Sequence, residues 1–235
     1  MTISVIIPTF NEEDNITRLV TFIRWLDRSE IVEILVVDGG STDRTCVKAQ
    51  EYGARVIASH QACRAVQLNL GAKNAYGDIL YFVHADVTLA TSFVDDLLES
   101  VHLGFESGCY RYIFDSKRLL LKVNAYFTRF NTIMCRGGDQ TLFVTRSTFD
   151  SVGGFDEAYV IMEDFKLILR LQKRNTFRII QKDIVVSARK YDSNSWLRVQ
   201  IANLCVFIMF FLGRSPSAMK QIYKILLTYR TLWVI

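Results

Sequence analysis

The stretch "ILVVDGGSTD", Ile34 to Asp43, decides the fold. Four apolar, strand-forming residues run without interruption and stop at an aspartate. A run with no polar alternation is buried on both faces, and such strands belong to parallel sheets covered by helices. Upstream, "ISVII" at 3–7 ends against Pro8; downstream, "RVIA" at 55–58 and "ILYFV" at 79–83 repeat the pattern. Helical spacing fills the intervals. Ile16, Leu19, Val20, Ile23 and Leu26 mark a helix over 14–27, and Thr42 or Asp43 caps the one after the second strand. Ala62 to Ala75 is a third helix, and 91–102 is a fourth through Phe93, Leu97, Leu98 and Val101. Strand and helix in strict alternation predict a doubly wound α/β half over residues 1–103.

The second half is less regular. Strands are expected at 109–114, 141–145 and 177–187, and helices at 119–134, 163–173, 195–213 and 217–230, with "SVGGFDE" as a turn. This divides the chain into a main domain over 1–190, its acceptor half at 104–190, and a helical C-terminal extension over 191–235.

Composition narrows the function classes. Of 235 residues half are apolar and 22% are charged, which describes a globular chain. The net charge is +4 and there is no Lys/Arg run or nucleic-acid module, so no nucleic-acid partner is expected. Cys46, Cys63, Cys109, Cys135 and Cys205 are scattered without a CxxC pair, which argues against a disulfide framework or zinc site and for a reducing, cytoplasmic compartment. The segment "MTISVIIPTF" lacks a basic leader region and reads as a first strand.

Polar residues gather where the strands end: Thr9, Asn11, Glu12 and Glu13 after the first, Asp38 to Asp43 after the second, His84 to Asp86 after the fourth. In open α/β sheets, ligands bind outside those carboxyl ends. After strand one stands "PTFNEE" and not GxGxxG, and no GxxxxGK[ST] occurs, so neither a dinucleotide fingerprint nor a P-loop is present. Carboxylates repel phosphate unless a divalent cation lies between. Mg²⁺ or Mn²⁺ takes one or two protein carboxylates plus substrate phosphates, which gives Asp86 a metal-holding role toward a diphosphate.

"SVIIPTFNEEDNI", "ILVVDGGSTDRT", "RAVQLNLGAKNAYGDILYFVHADV" and "VGGFDE" followed by "MEDFKLILRL" together resemble the family 2 glycosyltransferases, over about residues 3–190. "FVHAD", "GGDQTLFV" and "SARK" resemble more closely the small radical-SAM/selenodomain-associated transferases. The resemblance implies a GT-A fold, an α/β, Rossmann-like, doubly wound and mostly parallel sheet. It also implies an inverting transfer from a nucleotide-diphosphate sugar, with UDP as the expected nucleotide, to a hydroxyl acceptor of unknown identity. In that reading Thr9, Asn11 and Glu12 line the nucleotide pocket, and Asp38 accepts a hydrogen bond from the base. Arg64 and Asn69 face the nucleotide or its phosphates. His84 meets a ribose hydroxyl or a phosphate, or packs, beside Ala85. Asp86 holds Mg²⁺ or Mn²⁺, and Asp164, with Glu163 beside it, is the general base. Gly138, Asp139 and Gln140 contact donor sugar or acceptor, or only form a turn. Arg189 with Lys190 neutralises diphosphate, or is a solvated basic pair. Two positions depart from the family pattern: Gly39 replaces the second Asp of its D-D pair and His84 the first Asp of its DxD element.

Other readings stay open. His60 and His102 have no triad partners in the sequence, and Tyr126, Phe127 and Phe130 read as core. "LCVFIMFFL", Leu204 to Leu212, falls short of the roughly 20 residues of a spanning helix. It is read as a buried core helix. The alternative is a peripheral contact with the inner face of the cytoplasmic membrane, because Arg198, Arg214, Lys220, Lys224 and Arg230 follow Asp192 with no further acid. A polyprenyl-phosphate acceptor, a homodimer, and a non-catalytic nucleotide-sugar binder are further alternatives.

Overall fold

The structure is a computed structural model that describes residues 1–136 and 140–227. In chain order the elements are β1 (Ile3–Thr9), α1 (Glu13–Trp25), β2 (Ile31–Asp38), α2 (Thr45–Glu51), β3 (Arg55–Ala58), α3 (Arg64–Asn74), β4 (Ile79–Phe82) and α4 (Phe93–His102). There follow β5 (Ser107–Phe114), α5 (Leu119–Phe127), β6 (Leu142–Thr145), α6 (Arg146–Ser151), α7 (Glu163–Gln172), β7 (Phe177–Val186), α8 (Trp196–Phe211) and α9 (Pro216–Leu226).

One seven-stranded sheet runs β3-β2-β1-β4-β6-β5-β7. β1, β2, β3 and β4 are mutually parallel, β6 is antiparallel to β4 and β5, and β7 is parallel to β5. This is the mostly parallel α/β sheet that the apolar strands imply. Val5, Ile7, Val36 and Tyr81 face one core with α1 and α4, while Ile6, Leu35, Val37 and Phe82 face the other with α3 and α7. The period-2 alternation thus splits each strand between two apolar layers, and the polar residues buried in β1 and β2, Ser4, Thr9, Glu33 and Asp38, fall toward the strand ends.

α3 lies unusually close to the sheet. A Cβ on Gly71 would stand 2.4 Å from the Ile6 side chain, a distance no real contact sustains. The glycine lets the helix settle onto β1 beside the crevice.

Three expectations are corrected. The helix expected over 119–134 stops at Phe127. Arg136 is buried and donates to the carbonyls of Thr128, Phe130 and Thr132, so the loop folds around a guanidinium rather than continuing the helix ladder. Tyr126, Phe127 and Phe130, read as core, are exposed. So are Leu204, Ile208, Phe211 and Leu212 of the apolar run, because α8 buries Val199, Ala202 and Val206 instead.

Candidate active site

The sheet opens between β1 and β4, where the strand order reverses. Their pairing ends at Ile6 and Phe82, with Val83 N–H donating to the Ile6 carbonyl. Pro8 lies past that point, on the side where no ladder bond is required, so its missing N–H costs nothing in a central strand.

The loops after β1 and β2 are locked to each other. Thr9 is buried, and its hydroxyl donates to Asp38 Oδ1 at 3.3 Å. Its carbonyl accepts from Gly39 N–H and from the Gln67 side-chain amide, each at 2.9 Å. Asp38 Oδ2 accepts from the backbone N–H groups of Gly40 (2.9 Å) and Ser41 (2.8 Å), and Oδ1 accepts from the Ser41 hydroxyl. Asn11, at φ 53°, accepts from Thr42 N–H and donates its own N–H to Ser41 Oγ, both at 2.8 Å. Asp38, Thr9 and Asn11 therefore spend these polar atoms on loop geometry. Gly39 also finds its reason here. A Cβ would lie 3.2 Å from both Ala62 Cα and Gln67 Nε2, so an aspartate would crowd the amide that ties β1 to β2.

Beside this frame is a cavity of about 830 Å³. Its wall includes Glu12, Arg64, His84, Ala85, Asp86, Glu163, Asp164 and Arg189. Asp86 comes from the turn after β4 and Asp164 from the first turn of α7. Arg189, in a 3-10 turn after β7, reaches back across the crevice. Its guanidinium donates to both Glu12 carboxylate oxygens, at 2.6 and 3.2 Å, and stands 3.2 Å from Asp86 Oδ2. Glu12 is nearly fully buried, so this fork compensates a carboxylate that water reaches poorly. On the opposite wall Arg64 pairs with buried Glu163 at 3.2 Å. Met162, also on the wall, caps α7 in the left-handed region at φ 66°. A non-glycine residue there costs roughly 1 kcal/mol or more, and such strain clusters at functional sites.

Among the described residues no group of three His, Cys, Asp or Glu side chains forms a metal cage. Glu12 and Asp86 nonetheless converge on one cation, the Arg189 guanidinium, and offer only hard oxygen donors. That suits an ion of the Mg²⁺ or Mn²⁺ type, which completes its shell with water and phosphate.

Of the sequence-predicted residues, Asn69 goes elsewhere. Its amide donates to the Phe155 carbonyl (2.9 Å) and to Glu157 (2.8 Å), and its oxygen accepts from Phe155 N–H (2.9 Å), so it pins the "GGFDE" turn. Gln140 is buried beside Cys109 and is not on the wall. Thr9, Asn11 and Asp38 are not among the residues that line the cavity, whose carboxylates are Glu12, Asp86, Glu163, Asp164 and Asp192. Gly138 and Asp139 lie outside the described residues. Sequence reasoning missed Tyr191, Asn194, Asn203 and Tyr223, which also line the cavity. Lys190 donates to the Tyr223 hydroxyl at 2.9 Å, and that hydroxyl donates to Asn203 at 3.0 Å. The polar run "KYDSNS" between a strand and an apolar helix was the available signal. The segment after β7 thus reaches the cavity through residues of both α8 and α9, such as Asn203 and Tyr223.

Glucosyl-3-phosphoglycerate synthase of Mycolicibacterium paratuberculosis is 37% identical over 94 residues, 37% of this chain and 29% of that protein. Dolichol-phosphate mannosyltransferase of Pyrococcus furiosus is 35% identical over 109 residues, 44% of this chain and 31% of that protein. The matches thus span less than a third of these relatives. Among solved structures, residues 1–349 of S. aureus TarS superpose with a TM-score of 0.68 at 18% identity, covering 95% of this chain and 69% of that one. Glucosyl-3-phosphoglycerate synthase from Mycobacterium tuberculosis, solved with Mn²⁺, UDP and glucosyl-3-phosphoglycerate, gives 0.63 at 21% identity, covering 91% and 80%. At such identities these structures speak for the fold, which is GT-A. The glycosyl transferase family 2 profile matches residues 4–153, more than half of the sequence, and the chain belongs to that family.

Proposed function

We propose that the protein is an inverting glycosyltransferase that moves a sugar from a nucleotide-diphosphate sugar, with UDP as the nucleotide, to an acceptor hydroxyl. The observation that carries this reading is one cavity lined by Asp86 at the β4 end, Asp164 at the α7 start, and the cations Arg64 and Arg189. In the reaction the bond from the anomeric carbon to phosphate breaks, and the nucleoside diphosphate leaves with the electron pair. The acceptor oxygen bonds that carbon and yields its proton to Asp164. The Arg64–Glu163 pair holds the first turn of α7, and so the base, in position. Arg189 supplies positive charge beside the departing diphosphate. Asp86, with Glu12 near it, would hold Mg²⁺ or Mn²⁺; when bound, that ion supplies Lewis-acid stabilisation of the leaving group. The M. tuberculosis relative solved with Mn²⁺ and UDP supports the metal and the nucleotide.

The test is donor turnover with Mn²⁺ by wild type, Asp86→Asn and Asp164→Asn. Removing a pre-organised electrostatic partner lowers the rate about 10²–10³-fold, and removing a general base about 10²–10⁴-fold. Equal rates in all three proteins would remove Asp86 and Asp164 from the chemistry, and a wild type that binds the donor without turning it over would be a nucleotide-sugar binder.

A second acceptor reading is favoured by the apolar side chains at the cavity, Phe127, Met134 and Leu204. A polyprenyl phosphate would find them complementary, and its acceptor oxygen is already ionised at neutral pH. Asp164→Asn would then leave the rate with that acceptor nearly unchanged, whereas a hydroxyl acceptor requires the carboxylate.

A further inference from the structure

α8 is turned inside out relative to a core helix. The side chains it buries are Val199, Ala202 and Val206, the smaller ones. The larger Leu197, Ile201, Leu204, Ile208 and Phe211 recur at helical spacing along its other side, each at least 46% exposed. Such a row would suit a buried seam, yet no described element covers it. α5 continues the surface. It buries Leu121 and Ala125, the former in the same apolar cluster as Val199 and Ala202, and exposes Leu120, Val123, Tyr126 and Phe127. The Trp196 indole N–H donates to Asn124 at 3.4 Å and ties the two helices. Leu204 from α8 and Phe127 from α5 are both exposed and both line the cavity, so this apolar surface runs to the cavity's edge.

The charge that accompanies it has one sign. Every charged side chain in residues 116–136 and 193–227 is a Lys or an Arg, in a chain whose totals are 28 bases and 24 acids. Arg129 lies over the Tyr126 ring, and Arg198, Arg214 and Lys224 are exposed along α8 and α9. A two-fold contact between copies of this chain would set those cations against themselves. An anionic lipid surface matches both properties, accepting the apolar row among acyl chains and the cations at the headgroups.

We propose that the joined face of α5 and α8 docks on an anionic lipid bilayer, with the cavity's edge held at the lipid surface. The full chain, at low ionic strength, is expected to float with vesicles of phosphatidylglycerol and phosphatidylcholine and to stay behind with phosphatidylcholine alone. The double variant Leu197→Glu and Ile208→Glu, both exposed and away from the cavity wall, is expected to lose at least about tenfold of the floated fraction, since each charge opposes apolar insertion by a few kcal/mol. Its thermal melt and its thermal shift with UDP-sugar and Mn²⁺ should match wild type, which separates this proposal from the catalytic reading. The proposal is overturned if wild type does not float with anionic vesicles or if the double variant floats equally well. It is also overturned if sedimentation shows a wild-type dimer that the same variant converts to monomer, since the face would then join two copies.

Discussion

At the scale of single residues, the site is organised by Arg189. Its one guanidinium serves two carboxylates from different strand ends, Glu12 and Asp86. A cation already resident between them competes with any added metal. Arg189→Gln is therefore expected to bind Mn²⁺ more tightly in the absence of nucleotide, read by the loss of the free-ion paramagnetic resonance signal. The same variant should melt at lower temperature without Mn²⁺, because buried Glu12 loses the guanidinium that forks onto both its oxygens, and recover when the ion is added. A melt insensitive to Mn²⁺ would remove the pair from the metal site. Asp86 and Asp164 were legible in the sequence because each closes a recognisable apolar run or opens a helix. Arg189 was legible as part of a pair that neutralises diphosphate or is merely solvated, but its reach to Glu12 was not, since nothing local in "SARK" points there. Asn69 misled because α3 presents several polar faces, and the sequence does not say which one meets the crevice and which meets the turn at 155–157.

At the scale of elements, the crevice depends on how α3 and the turn before α7 are held. Gly71→Ala is expected to lower stability by about 1–3 kcal/mol, measured by denaturant titration, because the new methyl must push α3 from Ile6. The turn before α7 carries a pH dependence. The Lys166 ammonium hydrogen-bonded to Asp156 holds that carboxyl below its ordinary value of 3.8, with the Ala158 N–H adding to the effect and partial burial opposing it. A depressed folded-state value stabilises the native turn above the unfolded-state value, and that stability is lost as pH falls from there through the folded one. Asp156→Asn should thus be less stable than wild type at neutral pH, with the difference closing below about pH 4, in melts taken across that range. A constant difference at all pH values would show that the pair does not contribute. The strands of the first half were readable from their unbroken apolar runs. The end of α5 was not, because the buried Arg136 that folds the loop back acts through carbonyls, which have no sequence signature.

At the scale of the whole molecule, segments that follow β1, β4 and β7 meet at one cavity, and α8 and α9 add to its wall. The α/β layering was visible in composition and period alone. The position of the C-terminal helices was not, because a run such as "LCVFIMFFL" reads the same whether its neighbours are protein or lipid. The lipid-docking proposal rests on the inverted burial of α8, which no local sequence pattern announces. The Glu12–Arg189 fork closes a loop of 177 residues. A contact of that sequence separation closes only when nearly the whole chain is in place, so the Glu12–Arg189 pair belongs to the late, non-local part of folding.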